Sequence, residues 1–242
     1  MSPEAVVPRH LVRQDYVARY EQLLHGNLPG DFVRFAPFFA SMDRLDTMGA
    51  MLQRHLSGTG RSILNIGSGA FASEIFVAAF QNQNITSFDY TPEFAPLFDI
   101  FGKEGVLHGT AFMTADAMTA CFAPRAFDLI VMHDLLYEPA LDLDALLSRY
   151  LPVLAPGGLI YFDYMNQGVH WLWSLLGKEK RYRRYRAGEI AAILRRHELE
   201  IVERRAVKPS GSSLKAAFHA VLTNLFRTSN AFAVIVRRRT AG

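Results

Sequence analysis

The sequence has a single cysteine, Cys121, so no disulfide can form within the chain, and a reducing compartment suits it. It also lacks long apolar runs. The most apolar stretches, LIVM (129–132) and GGLIYF (157–162), fall far short of the roughly 20 residues that a membrane-spanning helix needs. The opening MSPEAVVPRHLVRQ has no basic stretch followed by an apolar one and does not read as a secretory signal. The expectation is a cytoplasmic protein that does not enter a membrane. No internal repeat and no low-complexity segment is present. Half of the 242 residues are apolar, enough for one globular unit to bury a full core.

Positive charge is scarce over most of the chain and crowded at its end. Residues 1–176 carry 10 Lys and Arg against 18 Asp and Glu, whereas residues 177–242 carry 16 against 5. The basic part includes KEKRYRRYR (178–186) and RRR (237–239). Such runs are usually solvated faces, and that reading is preferred here; the alternative is a surface for an anionic substrate, nucleic acid or an acidic partner.

Periodicity divides the rest into alternating elements. Helical spacing runs over 11–25 and 43–57, after which Ser57-Gly58-Thr59-Gly60 breaks the pattern. Strands are predicted at 63–66, 85–89, 110–115, 127–133 and 159–164. Between them lie helices at 71–82, 92–102 and 143–155, the last closed by Pro156-Gly157-Gly158. The continuous apolar run FDLIVMH is what a strand covered on both faces requires. A helix at 187–198, a strand at 199–207, a helix at 213–227 and a strand at 231–239 complete the pattern. Alternation of this kind predicts an α/β fold with a doubly wound sheet.

The first strong strand enters a glycine turn, ILNIGSGAF (63–71). Gly67 and Gly69 let backbone approach a ligand closely, and the following helix offers free N–H groups and a positive dipole end. With Ala72 the stretch fits the dinucleotide variant G-x-G-x-x-A. Asp89, at the end of the next strand, can accept hydrogen bonds from ribose hydroxyls. Both features suit a nicotinamide dinucleotide and S-adenosylmethionine alike. However, Tyr-x-x-x-Lys, the usual catalytic pair of a short-chain dehydrogenase, occurs nowhere in the sequence, and no second mononucleotide half of familiar form follows.

Four further stretches follow in order: SFDYTPEFAPLF (87–98), TADAM (114–118), AFDLIVMHDLLYE (126–138) and LPVLAPGGLIYFDY (151–164). Together with ILNIGSGAF they resemble the motifs of class I S-adenosylmethionine-dependent methyltransferases, over about residues 60–240. The resemblance implies a Rossmann-like seven-stranded sheet whose last strand is antiparallel. It divides the chain into an N-terminal helical lid, residues 1–60, and a methyltransferase domain, residues 61–242, in one compact unit. It implies S-adenosylmethionine as cofactor, S-adenosylhomocysteine as product and no metal. The cofactor would be held by Asn65, Gly67, Ser68, Gly69, Asp89, Tyr90, Asp116, Ala117 and His133, with Asp89 on the ribose and Asp116 near the adenine amino group. Two positions depart from the pattern. Asn65 stands where the family often has an acid and cannot offer a full charge to the ligand's ammonium group. Phe71 stands where a third glycine is usual and would narrow the loop mouth.

Methyl transfer from a sulfonium needs orientation and desolvation more than a fixed catalytic triad. The acceptor pocket is expected beyond the ends of the fourth and fifth strands, where His133 is a candidate general base and Asp163 a candidate to orient the acceptor. Tyr16, Tyr20, Tyr137, Tyr164 and Trp171 are candidates for an aromatic box around a flat substrate, with His170 and Trp173 close by in sequence. The reading is an N- or O-methyltransferase of a small aromatic or heteroaromatic metabolite, set by the resemblance in bacterial specialised metabolism, as a monomer or homodimer. The alternatives are a methyltransferase of RNA or of a carrier-bound substrate, and a non-catalytic protein that keeps the fold for binding. The fourth motif is not the Asn/Asp-Pro-Pro-Tyr of enzymes that methylate base amino groups, which weighs against nucleic acid.

Overall fold

The computed structural model describes residues 9–39, 42–56, 60–75, 84–107, 109–169, 182–207, 221 and 228–239. Its strands are β1 Ser62–Ile66, β2 Asn84–Asp89, β3 Thr110–Thr114, β4 Phe127–Met132, β5 Leu154–Met165, β6 Leu199–Ala206 and β7 Ala231–Arg238. They form one seven-stranded sheet in the order β3-β2-β1-β4-β5-β7-β6. β1 pairs in parallel with β2 and β4, β2 with β3, and β4 with β5, while β7 runs antiparallel between β5 and β6. The chain leaves β1 toward one edge and returns to its other side as β4, so the sheet has a switch point between β1 and β4 where two neighbouring loops part.

The central strands are apolar on both sides because both faces are covered. On one face Ile63, Ile85, Leu129, Val131 and Tyr161 meet Leu45, Met48, Met51 and Leu52 of the helix Met42–His55. On the other, Leu64, Ile130, Met132, Ile160 and Phe162 meet Leu146 and Leu147 of the helix Leu143–Tyr150 and Ile190, Ile193 and Leu194 of the helix Ala187–Arg196. Asp142 caps the helix Leu143–Tyr150, accepting from the Asp144 and Ala145 amides. A third cluster joins Tyr20, Leu23 and Leu24 of the helix Arg9–Asn27 to Phe71, Ile75, Phe94, Leu97 and Phe101.

The predicted helix at 143–155 ends earlier, at Tyr150, and passes through a short 3-10 turn, Leu151–Val153, straight into β5. Pro156-Gly157-Gly158 therefore does not separate helix from strand. It forms an irregularity within β5: the pairing with β4 steps from Phe127↔Leu154 to Leu129↔Leu159, and Gly157 takes φ +75° to make the bulge. The helix predicted at 71–82 is described from 72 to 75, and the one at 213–227 lies outside the described residues apart from Val221, which is helical. Among the described residues no helix is long and apolar enough to cross a membrane.

Candidate active site

The glycine loop is held from below by β2. The amides of Gly67 and Ser68 both donate to the Phe88 carbonyl, at 2.9 and 3.1 Å. Gly67 sits at φ +76°, which favours glycine, and a Cβ there would lie 2.6 Å from Leu135 Cδ1, so the Leu135 side chain would have to move aside. Phe71 also takes a left-handed conformation, φ +62°. Its ring does not narrow the loop mouth, as the sequence suggested. It is fully buried and packs against Phe98, Phe101 and Phe112, so apolar burial pulls it into the core behind the loop.

Asp89, at the tip of β2, ties the rim together. One carboxylate oxygen accepts from the Gly69 amide and the other from the Thr91 amide, each at 2.9 Å. Each oxygen retains room for a further donor. The Thr91 contact turns the chain locally, and the Gly69 contact makes the carboxylate part of the loop. The neighbouring Tyr90 is 77% exposed, an unusual place for a large ring. The Ala115 amide donates to the Asp89 carbonyl and so brings the loop after β3 beside it. There Asp116 is exposed and uses Oδ1 to accept from the Met118 amide at 2.7 Å, while the Tyr150 hydroxyl pins the Ala117 carbonyl at 2.7 Å. Burial pushes the Tyr150 hydroxyl up to about 12, which keeps it a donor to that carbonyl.

Beneath the loop lies a group that sequence reasoning missed. The Asn65 amide donates at 2.6 Å to Oε1 of Glu74, on the helix that follows the loop, and the Ser87 hydroxyl donates to the same oxygen. Glu74 is 1% exposed, and burial pushes its carboxyl up to about 7 against the pull of these hydrogen bonds. The signal was a lone acid inside the apolar run FASEIFVAAF. Asn65 Oδ1, Ser68 Oγ and Glu74 Oε2 are buried without a hydrogen-bond partner. Three such atoms around one loop mark a polar cradle left for a ligand or water to complete.

On the other side of the switch point, β4 pairs with β1 up to Asn65↔Val131 and ends at Met132, so His133 opens the loop whose Leu135 packs against Gly67. His133 Nδ1 approaches Asp163 Oδ2 to 2.8 Å, close but without the alignment of a good hydrogen bond. Asp163 Oδ1 accepts from the Asp134 amide at 3.0 Å, which supports the left-handed Asp134, and the Tyr161 hydroxyl lies 3.4 Å from Oδ2. The buried Asp163 carboxylate thus stands directly beside the imidazole.

Among the described residues, Tyr20, Tyr137 and Tyr164 do not gather into one box. Tyr20 is buried, and its hydroxyl donates to the Ala70 carbonyl at 3.0 Å, bracing the loop from the core side. Tyr164 is buried against Phe162, Tyr185 and Phe232. Strand alternation turns Tyr164 to the opposite face from Asp163 and Tyr161, so it packs in the core away from His133. Tyr137 is half-buried, edge-on to Tyr182, and its carbonyl accepts from the Arg183 amide, which draws the basic segment against the loop after β4. The side chain of Tyr16, and all of His170, Trp171 and Trp173, lie outside what the structure describes. Among the described residues no group of His, Cys, Asp and Glu is arranged to hold a metal ion.

This sheet order and loop arrangement define the class I methyltransferase fold. Residues 64–162 match the family model described as a methyltransferase domain. Solved structures agree in fold. Magnesium protoporphyrin IX methyltransferase from Synechocystis, with S-adenosylhomocysteine bound, is 14% identical with a TM-score of 0.64, over 96% of this chain and all of that one. Geranyl diphosphate C-methyltransferase from Streptomyces coelicolor is 11% identical with a TM-score of 0.60, over 97% of this chain and all of that one. The cyclase SpnF is 19% identical with a TM-score of 0.60, over 82% of each chain. No curated sequence is a significant match.

Proposed function

We propose that the chain is an S-adenosylmethionine-dependent methyltransferase of a small aromatic or heteroaromatic molecule, acting at nitrogen or oxygen. The cradle fits the cofactor: Gly67, Ser68 and Gly69 line the loop with glycine backbone and an unpartnered hydroxyl, and Asp89 keeps acceptor capacity for ribose hydroxyls. Tyr90, Asp116 and Ala117 form the adenine side, with Tyr90 offering an exposed ring face to stack upon. When bound, the cofactor supplies an activated methyl group. Its product is S-adenosylhomocysteine, and no metal is required. Residues 1–60 complete the site as a cap, and bacterial specialised metabolism in the cytoplasm remains the setting of the proposal.

The observation that carries the catalytic part is the His133–Asp163 contact beside the loop. His133 takes the acceptor's proton, and Asp163 stabilises the imidazolium that results. The relatives named above act on a porphyrin and on an allylic diphosphate, so acceptor identity is set by side chains outside the shared fold. His133→Ala is expected to slow methylation of an accepted substrate by about 10²–10⁴-fold, the usual scale for a general base, with S-adenosylhomocysteine binding largely unchanged. Asp163→Asn should slow it less. Full turnover in His133→Ala returns the histidine to a packing role. A second reading, in which the fold serves something other than methyl transfer, draws support from the likeness to a cyclase. Cofactor binding without turnover across an aromatic acceptor panel would favour it.

A further inference from the structure

Glu74 is buried against the sheet with two donors on one of its oxygens and none on the other. Among the described residues no Lys, Arg or His pairs with it. The groups that face it are Asn65 on β1, Ser87 and Asp89 on β2, and Tyr20 on the helix Arg9–Asn27. Asp89 opposes its ionisation, and Tyr20 is held in its neutral form by burial and by the charge of Glu74. None supplies a positive charge.

The hydrogen bond to Glu74 also fixes Asn65. With Nδ2 committed to the carboxyl, the amide cannot flip without losing that bond, so Oδ1 stays an acceptor, and it has no donor. Asn65 stands two residues before Gly67, at the root of the loop. A buried carboxyl and a fixed amide oxygen, both short of donors, are complementary to a cation rather than to a neutral ring or an anion. The proposed cofactor carries two cationic groups, the sulfonium and the α-ammonium; its product keeps only the second.

We propose that the Asn65–Glu74 pair is the counter-charge for the cationic end of the methyl donor, with Glu74 a positioning residue that acts through the Asn65 amide and releases its proton to solvent when the donor binds. The inference rests on the reading of S-adenosylmethionine as ligand. The carboxyl lost at position 65 of the family pattern is thereby supplied from the next helix. Because Glu74 holds its proton up to about pH 7, donor affinity rises as pH climbs through neutrality, and about half a proton leaves per ligand bound at pH 7.

The test is calorimetric titration of S-adenosylmethionine and S-adenosylhomocysteine into the full chain at pH 7, in phosphate and in Tris, whose ionisation enthalpies differ. Wild type should release about half a proton more than Glu74→Gln, and only wild type should gain affinity between pH 6 and pH 8. Ser87→Ala removes one bond that favours the carboxylate, so the midpoint of its affinity profile should move to higher pH; it keeps the test decisive if Glu74→Gln misfolds. Extra release with both ligands assigns the ammonium as the partner, and with S-adenosylmethionine alone the sulfonium; either supports the proposal. Equal release from wild type and Glu74→Gln, or an unmoved midpoint in Ser87→Ala, overturns it while the cofactor reading stands. Failure of wild type to bind either ligand overturns both.

Discussion

Phe71 and Glu74 differ in how far the sequence discloses them. Phe71 stood out as a departure from a glycine pattern, but its effect was misjudged, because nothing local says that the ring turns inward against Phe98, Phe101 and Phe112. Phe71→Gly should relax the backbone yet lose the buried ring, a net destabilisation of about 2–4 kcal/mol in chemical denaturation. Glu74 was visible only as an acid out of place. Its folded pKa lies above the usual 4.5 at about 7, so the stability its proton contributes is fully present below pH 4.5 and is lost as pH rises through 7. Glu74→Gln carries no such proton. Relative to wild type it should therefore gain stability between pH 5 and pH 8, by on the order of 3 kcal/mol, read from urea midpoints. A constant difference across that range would mean that Glu74 does not titrate there.

All seven strands were legible, since their apolar runs and bounding turns are written locally and agree with the sheet. The limits of elements were less so. Pro156-Gly157-Gly158 has the composition of a terminator, and only pairing with β4 reveals a bulge. Asp163 and Tyr164 were both assigned to the acceptor pocket, although adjacent strand residues face opposite sides; the period of two already argued against the pair. The charge crowding at the chain's end is also partly resolved at this scale. Glu203 on β6 joins Arg54 and His55 of the helix Met42–His55 to Arg205. Partial burial pushes its carboxyl up, but the His55, Arg54 and Arg205 hydrogen bonds outweigh this and hold it below the usual value. Its contribution is thus present above pH 4.5 and fades as pH falls below that. Glu203→Gln should cost about 1 kcal/mol at pH 7 and nothing near pH 3, measured by thermal unfolding.

For the whole molecule, topology assembles what no single stretch contains. Asn65, Asp89, Asp116, His133 and Asp163 come from five strands or the loops after them, and parallel pairing brings all five to the same edge of the sheet. The order of motifs along the chain conveyed this, because a doubly wound sheet places every such loop at its C-terminal edge. The His133–Asp163 contact and the helix-borne Glu74 were not legible, since each depends on side chains meeting across separate elements. The central claim is that the glycine loop holds an adenosine without a pyrophosphate. Calorimetric titration with S-adenosylmethionine, S-adenosylhomocysteine and NAD in parallel tests it directly. The account predicts micromolar binding of both sulfur nucleotides and none of NAD; binding of NAD alone, or of none of the three, would contradict it.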